Sequence, residues 1–272
     1  SRNVAVGEGT LIQSTTPNEN SAVGMLSMFS NTTGANNTAM GYQSLYANTT
    51  GSGSVAIGWQ AALNQVNTGS PYNTAVGRRA MYGASGATGY NNTAIGGDSL
   101  FSISSGTNNV AVGNDALYSN TTAVYNTAVG YQAGYTGTTT GANVYIGYQA
   151  GYANTGGNIT VVGYEAGKSH TTASTLDAFG YQAAESNTTG NASVAFGFQS
   201  LTANTTGASN TSIGNQALYA NTTGGSNVAL GYQAGYSIQT VSNATFIGTV
   251  AGRSTTGGNN TAIGSQALYN NN

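Results

Sequence analysis

One glycine returns at a nearly constant step along the whole of this 272-residue chain. It closes strings such as Asn37-Thr38-Ala39-Met40-Gly41 and Asn126-Thr127-Ala128-Val129-Gly130, and it occupies sixteen positions from Gly7 to Gly264. The fifteen intervals are 17 residues long except for two of 19 (Gly58 to Gly77 to Gly96) and two of 16 (Gly147 to Gly163, Gly248 to Gly264). A fixed period of this kind marks a repeat architecture, in which each copy buries its apolar surface against the next. Seventeen residues are too few for a helical hairpin, and the apolar pattern alternates with period two.

The columns of the repeat describe the coil. The residue before each anchor glycine is Val, Ile, Leu, Met or Phe in all sixteen copies, and two places earlier it is β-branched in fourteen. Positions two apart share a face of a strand, and β-branched side chains suit the pleat. Between them stands Ala or Ser in thirteen copies, on the opposite face. Ala or Ser returns three residues after the glycine in fifteen copies, followed by aromatics such as Tyr46, Tyr118 and Tyr219. These columns predict two short strands per coil, separated by a Gly turn and closed by an Asn-Thr-Thr-Gly turn. The coils must then stack in parallel, each about 4.8 Å above the last. The fold expected is all-β, a parallel β-solenoid (β-roll) of about sixteen 17-residue coils. Asn opens eleven of the repeats, so its side chains are expected to bond to one another along the stack.

Such a thin coil is expected to enclose one large apolar residue, one β-branched residue and one Ala per turn. The Ala column (Ala39, Ala56, Ala75, Ala94, Ala111) lies on the face away from the bulky column. Two readings of that column are open. Sister chains could pack against it, giving a homotrimer about a long axis, or Ala could simply fit a narrow corner of the coil.

Composition limits the chemistry. Only 12 of the residues are charged and the net charge is −2, which provides no electrostatic footprint for nucleic acid or an anionic membrane. No apolar run is long enough to cross a bilayer, so membrane insertion is not expected. There is no cysteine, hence no disulfide and no thiolate metal site. With His170 as the only histidine, no His-based triad or His cluster can form, and His170 is expected in a solvent-facing turn. The glycines follow the coil period and never the phosphate-cradling spacing. Catalytic residues, cofactors and metals are therefore not expected. Arg79, Asp98 and Asp115 share one column in successive coils and read as a charge ladder, and Lys168 and Glu185 read as a surface ion pair between adjacent coils.

The strings "NNTAIGSQALYNNN", "NVAVGNDALYSNTT" and "NTAVGYQAGYTG" resemble repeats of bacteriophage tail fibres and bacterial surface proteins, chains that often end in an endosialidase-type intramolecular chaperone. The N-x-A-[VI]-G core is also similar to the head repeats of trimeric autotransporter adhesins, which form trimers of left-handed β-rolls. The resemblance covers essentially the whole chain. It implies a homotrimeric fibre or adhesin segment outside a cell, on a virion or a bacterial surface, with no catalytic residues. The chain opens in mid-pattern at Ser1 and stops after a partial repeat at Asn272, so residues 1–272 are expected to be a single repetitive segment of a longer fibre.

Binding usually resides where a regular scaffold is interrupted. The two 19-residue coils put their extra residues into loops around Asn64–Tyr72 and Gly83–Asn91. Trp59 and Arg78 share the column after the anchor glycine and should stack, while Tyr72 and Tyr90 stand at the ends of the enlarged loops. Trp, Tyr and Arg are favoured binding anchors, so these four are the candidate contacts for a cell-surface glycan or receptor. The bland reading is that the loops merely pack on each other. Three functions follow: an attachment fibre that is a rigid shaft with glycan contact, a purely structural shaft, and an ice-binding solenoid. The last requires regular Thr columns, which Val4, Val55, Val110 and Asp177 interrupt.

Overall fold

The computed structural model describes residues 2–16, 19–171 and 175–270. The chain forms two compact units, Ser1–Gly141 and Ala142–Asn272. The first carries β1 (Val4–Val6), β2 (Ser21–Val23), β3 (Thr38–Met40), β4 (Val55–Ile57), β5 (Thr74–Val76), β6 (Thr93–Ile95), β7 (Val110–Val112) and β8 (Thr127–Val129). The second carries β9 (Val144–Ile146), β10 (Ile159–Val162), β11 (Leu176–Phe179), β12 (Ser193–Phe196), β13 (Thr211–Ile213), β14 (Val228–Leu230), β15 (Thr245–Ile247) and β16 (Thr261–Ile263). Within each unit consecutive strands pair in parallel, one strand per coil, and the described residues contain no helix. The expected β-solenoid is therefore the fold. Thr38 faces Val55 and Ala39 faces Ala56, seventeen residues on, while Ala56 faces Ala75 across an enlarged coil.

The anchor glycines stack where one coil touches the next. Gly113 has φ +134°, and a Cβ there would run into the carbonyl of Gly130 directly above it. Its N–H donates to Ile95 O at 2.7 Å, one coil below. A side chain at this position would break both the turn and the rung.

Two expectations are corrected. Among the described residues no coil forms a second strand. After the glycine every other residue is left-handed: Gln43 has φ +54° and Leu45 +47°, and Asp98 and Leu100 repeat this at +55° and +48°. Each such non-glycine residue costs about 1–2 kcal/mol, offset by rung bonds such as Gln43 N to Met25 O and Leu45 N to Ala61 O, both 3.0 Å. This alternation lets consecutive residues point the same way, so Ser44 and Leu45 are both buried. A strand would send them to opposite faces.

The second correction follows from the first. The Ala column is the interior: Ala22, Ala39, Ala56, Ala75, Ala94, Ala111 and Ala128 are all 0% exposed, whereas Met40 is 45% and Ile95 40% exposed. Two adjacent inward residues on the far wall, such as Ser44 and Leu45, leave room for only a small residue on the strand. Of the two open readings of this column, the narrow coil is the correct one. Wherever the Leu column becomes glycine, the strand residue can grow. Tyr145 stands over Gly151, Val161 over Gly167 and Phe246 over Gly252, each occupying the space a Cβ on that glycine would need. In these three coils volume is exchanged between the two columns.

The polar interior is a set of directional ladders. Asn109 Nδ2 donates to Asn92 Oδ1 at 3.1 Å, and Asn126 Nδ2 donates to Asn109 Oδ1 at the same distance. The Asn of the Asn-Thr-Thr turn forms a second buried ladder, with Asn204 on Asn187 and Asn221 on Asn204. Ile103 and Ile238 occupy this second column in the coils next to Asn120 and Asn221. Accordingly Asn120 Nδ2 and Asn221 Oδ1, which point toward those isoleucines in the ladder's direction, are buried without a partner. His170 replaces Asn in the same column. It is fully buried rather than in a solvent-facing turn, with Nδ1 3.4 Å from Asn187 Nδ2. Outside the coils, aromatic rings stack along the first unit: Tyr82, Phe101, Tyr118 and Tyr135 follow one another with centroids 5.0 Å apart.

The exchange of volume between columns is testable. Phe246→Ala should destabilise by about 3–5 kcal/mol through the cavity it leaves. Gly252→Leu alone should clash with the ring. The double variant restores the Ala/Leu pairing of the common coil and is expected to recover most of the loss, read as a favourable coupling in chemical denaturation.

Candidate functional site

The enlarged coils are built by loops that pair with each other. Gln65 and Ala87 form a parallel bridge, Val66 N donates to Ala87 O at 2.9 Å, and Ala87 N donates to Asn64 O at 3.1 Å. Asn91 N reaches Pro71 O at 2.7 Å. Gln65 and Asn67 are buried between the loops. The insertions thus extend the stack sideways by the same rung logic as the coil.

This scaffold places the four candidate residues on two margins of the sheet face. Trp59 lies two residues after β4 and Arg78 two residues after β5, in one column, with Arg79 N bonded to Trp59 O at 2.8 Å. Tyr72 lies two residues before β5 and Tyr90 three before β6. The three residues of β5, about 10 Å of strand, lie between Tyr72 and Arg78. Trp59, Tyr72 and Tyr90 are all exposed. Trp59 stacks on Tyr42, with centroids 6.5 Å apart and planes 16° apart. Arg78 turns its guanidinium to Asp98 instead.

Asp98 is nearly buried and accepts from both Arg78 and Arg79, the latter through Nε at 2.8 Å. The hydrogen bond to Asp98 raises the pKa of Arg79, whose guanidinium also lies 4.9 Å above the Phe101 ring. The expected Arg79–Asp98 rung is therefore present, joined by Arg78. Asp115 is occupied separately, accepting from Gln132 Nε2 at 3.5 Å. Lys168 pairs within its own coil, with Glu165 at 2.6 Å, and not with Glu185 as the shared column had implied. Glu165 stands three residues before Lys168 on the same turn, and its carboxylate takes the ammonium while also accepting from Gln182 of the next coil. Lys168 and Gln182 hold the Glu165 carboxyl below the usual range, while burial, and then the Glu165 charge, raises Glu185.

Little of this is arranged for chemistry. Among the described residues no three His, Cys, Asp or Glu side chains are grouped to hold a metal ion, and no helix is long and apolar enough to cross a membrane. A cleft of about 340 Å³ between residues 237–241 and 254–256 is lined by Ser, Thr, Gln, Ile and Val, with no titratable group. The second unit carries an exposed ladder of Tyr148, Tyr164, Tyr181 and Phe198, with centroids 5.0, 5.0 and 5.3 Å apart. Each inner ring has its two faces covered by its neighbours, so the ladder presents ring edges to solvent. Sequence reasoning missed the continuous apolar face to which the ladder belongs, whose signal was the invariably aliphatic or aromatic column before the anchor glycine. The chain matches no protein-family model, no curated protein and no solved structure.

The Glu165–Lys168 pair has a pH signature. A carboxyl held below its ordinary value of 4.5 stabilises the fold above that value, and the contribution is lost as pH falls through the folded-state pKa. Glu165→Gln is expected to flatten the fall of Tm below about pH 4.5, measured by thermal melts across the acid range.

Proposed function

We propose that this chain is a shaft segment of an extracellular attachment fibre, assembled as a homotrimer on a virion or bacterial surface, and that it is not an enzyme. One observation carries the reading: within each unit the coils are tied to their neighbours by backbone rungs, and many of them also by Asn ladders or stacked rings. Such a structure transmits force along its stack and offers no cleft in which a substrate could be surrounded by acids, bases or nucleophiles. Threonine is used in the same way. Thr188 Oγ1 donates to Thr205 O at 2.9 Å and Thr205 Oγ1 to Thr222 O at 3.1 Å, so these hydroxyls bond to the next coil. That use, and the Val, Ile, Met and Phe side chains on the strand face, weigh against an ice-binding surface.

Glycan contact, if this segment makes it, belongs at the enlarged coils, where Trp59 is exposed beside Arg78 with one ring face on Tyr42. A shaft without any ligand is the second reading. It is favoured by the engagement of Arg78 with Asp98 and by the width of sheet between Trp59 and Tyr72. Immobilised on a glycan array, the chain is expected to give a signal that Trp59→Ala lowers by tenfold or more, the loss of about 1.4 kcal/mol or more typical of an aromatic anchor. A blank array removes the ligand and leaves the shaft.

A further inference from the structure

We propose that sister copies of this chain dock on one another through the outward face of the parallel sheet, centred on β9–β12. The contact is made by the column before the anchor glycines and the aromatic column after them. This rests on the multi-chain fibre reading above and specifies which surface joins the chains. The Ala column cannot serve, because it is wholly inside the coil.

On β9–β12 the column before the glycines is Ile146, Val162, Phe179 and Phe196, in register on consecutive strands. The column after them is Tyr148, Tyr164, Tyr181 and Phe198. Phe196 is 55% and Tyr181 43% exposed, and the Phe179 and Phe196 rings lie 5.7 Å apart. Leu230, Tyr232 and Ile263 continue both columns along the second unit. With large side chains of about 150–250 Å² roughly two-fifths exposed, the unit offers on the order of 1,000 Å² of apolar surface. The largest apolar patch on a monomer is typically about 300–600 Å², and a standard interface takes about 800 Å² from each partner.

Three features select a second copy as the occupant. The face steps once per coil, about 4.8 Å, and a parallel copy in register presents the same step at every rung. The two columns hold no charge on these coils; Asp177 lies on the same strand face but on the β-branched column, at the margin, where it stays hydrated. Thr160, Thr211 and Thr245 share that margin, and their hydroxyls would go unsatisfied in a lipid hydrocarbon but can bond across a protein interface.

Sedimentation equilibrium of the full chain at micromolar concentration should give a multi-chain mass. Phe196→Ser combined with Tyr181→Ser should weaken association at least 100-fold while the far-UV circular dichroism stays unchanged; the exposed-turn variant Thr206→Ala should leave the mass as it is. In case the double variant fails to fold, the photo-cross-linker benzoylphenylalanine at position 196 of the otherwise wild-type chain should yield covalent dimers joined near residues 179–198, and the same probe at 206 should yield none. A multi-chain mass that survives the double variant, or cross-links only from 206, overturns the proposed face and leaves the oligomeric fibre standing. A stably folded wild-type monomer overturns both.

Discussion

The parallel rung is the interaction on which everything else in this molecule depends. A residue in one coil lies directly over its counterpart seventeen residues earlier, and backbone N–H and C=O groups are satisfied up and down the stack. Once that register is set, any column of identical residues becomes a continuous feature: a ladder of amides, a stack of rings, a row of methyl groups. A charged or bulky residue is likewise judged by what stands above and below it. The two buried asparagine atoms without partners lie where isoleucine interrupts an amide column, which shows how strictly the ladders depend on repetition.

The cross-section follows from a less obvious device. Left-handed residues at alternate positions after the anchor glycine turn two successive side chains inward, and so the strand opposite must carry alanine. This closes a coil of only seventeen residues around a dry core. It also expels the aliphatic residue of each strand to the surface, where its repetition makes a stripe. Stability and exposed apolar surface thus have one origin: the narrow coil that packs tightly inside cannot also bury the larger side chains of its strand. Within the proposed fibre that stripe is the natural meeting surface of chains, and Asp98 and Glu165 are neutralised locally, the first by Arg78 and Arg79 and the second by Lys168.

Much of this was legible in the residues. The glycine period, the parallel stacking, the first asparagine ladder and the Arg79–Asp98 rung follow from spacing alone, because a period of seventeen places equivalent residues in contact whatever the shape of the coil. The enlarged loops were located correctly, and their mutual packing accounts for the buried Gln65 and Asn67. The burial of His170 was hidden because a single histidine in a turn looks polar, although it stands in a column where asparagine is the commonest residue. The pairing of Lys168 with Glu165 was hidden because column position compares residues in different coils and passes over neighbours on the same turn.

What the sequence by itself determined was the lengthwise order of the molecule: one coil per repeat, one step per coil, and which residues stack on which. Only the tertiary structure decided the inside from the outside. On most strands a small residue alternates with larger β-branched, aliphatic or aromatic ones, and either set could face the core; the choice depends on the space left by the opposite wall, which backbone dihedrals at Gly41, Gln43 and Leu45 and their equivalents create and which no count of apolar residues reveals. A strand read one residue out of phase exchanges its two faces completely, so the same pattern that names the fold leaves open which surface the chain shows to its partners.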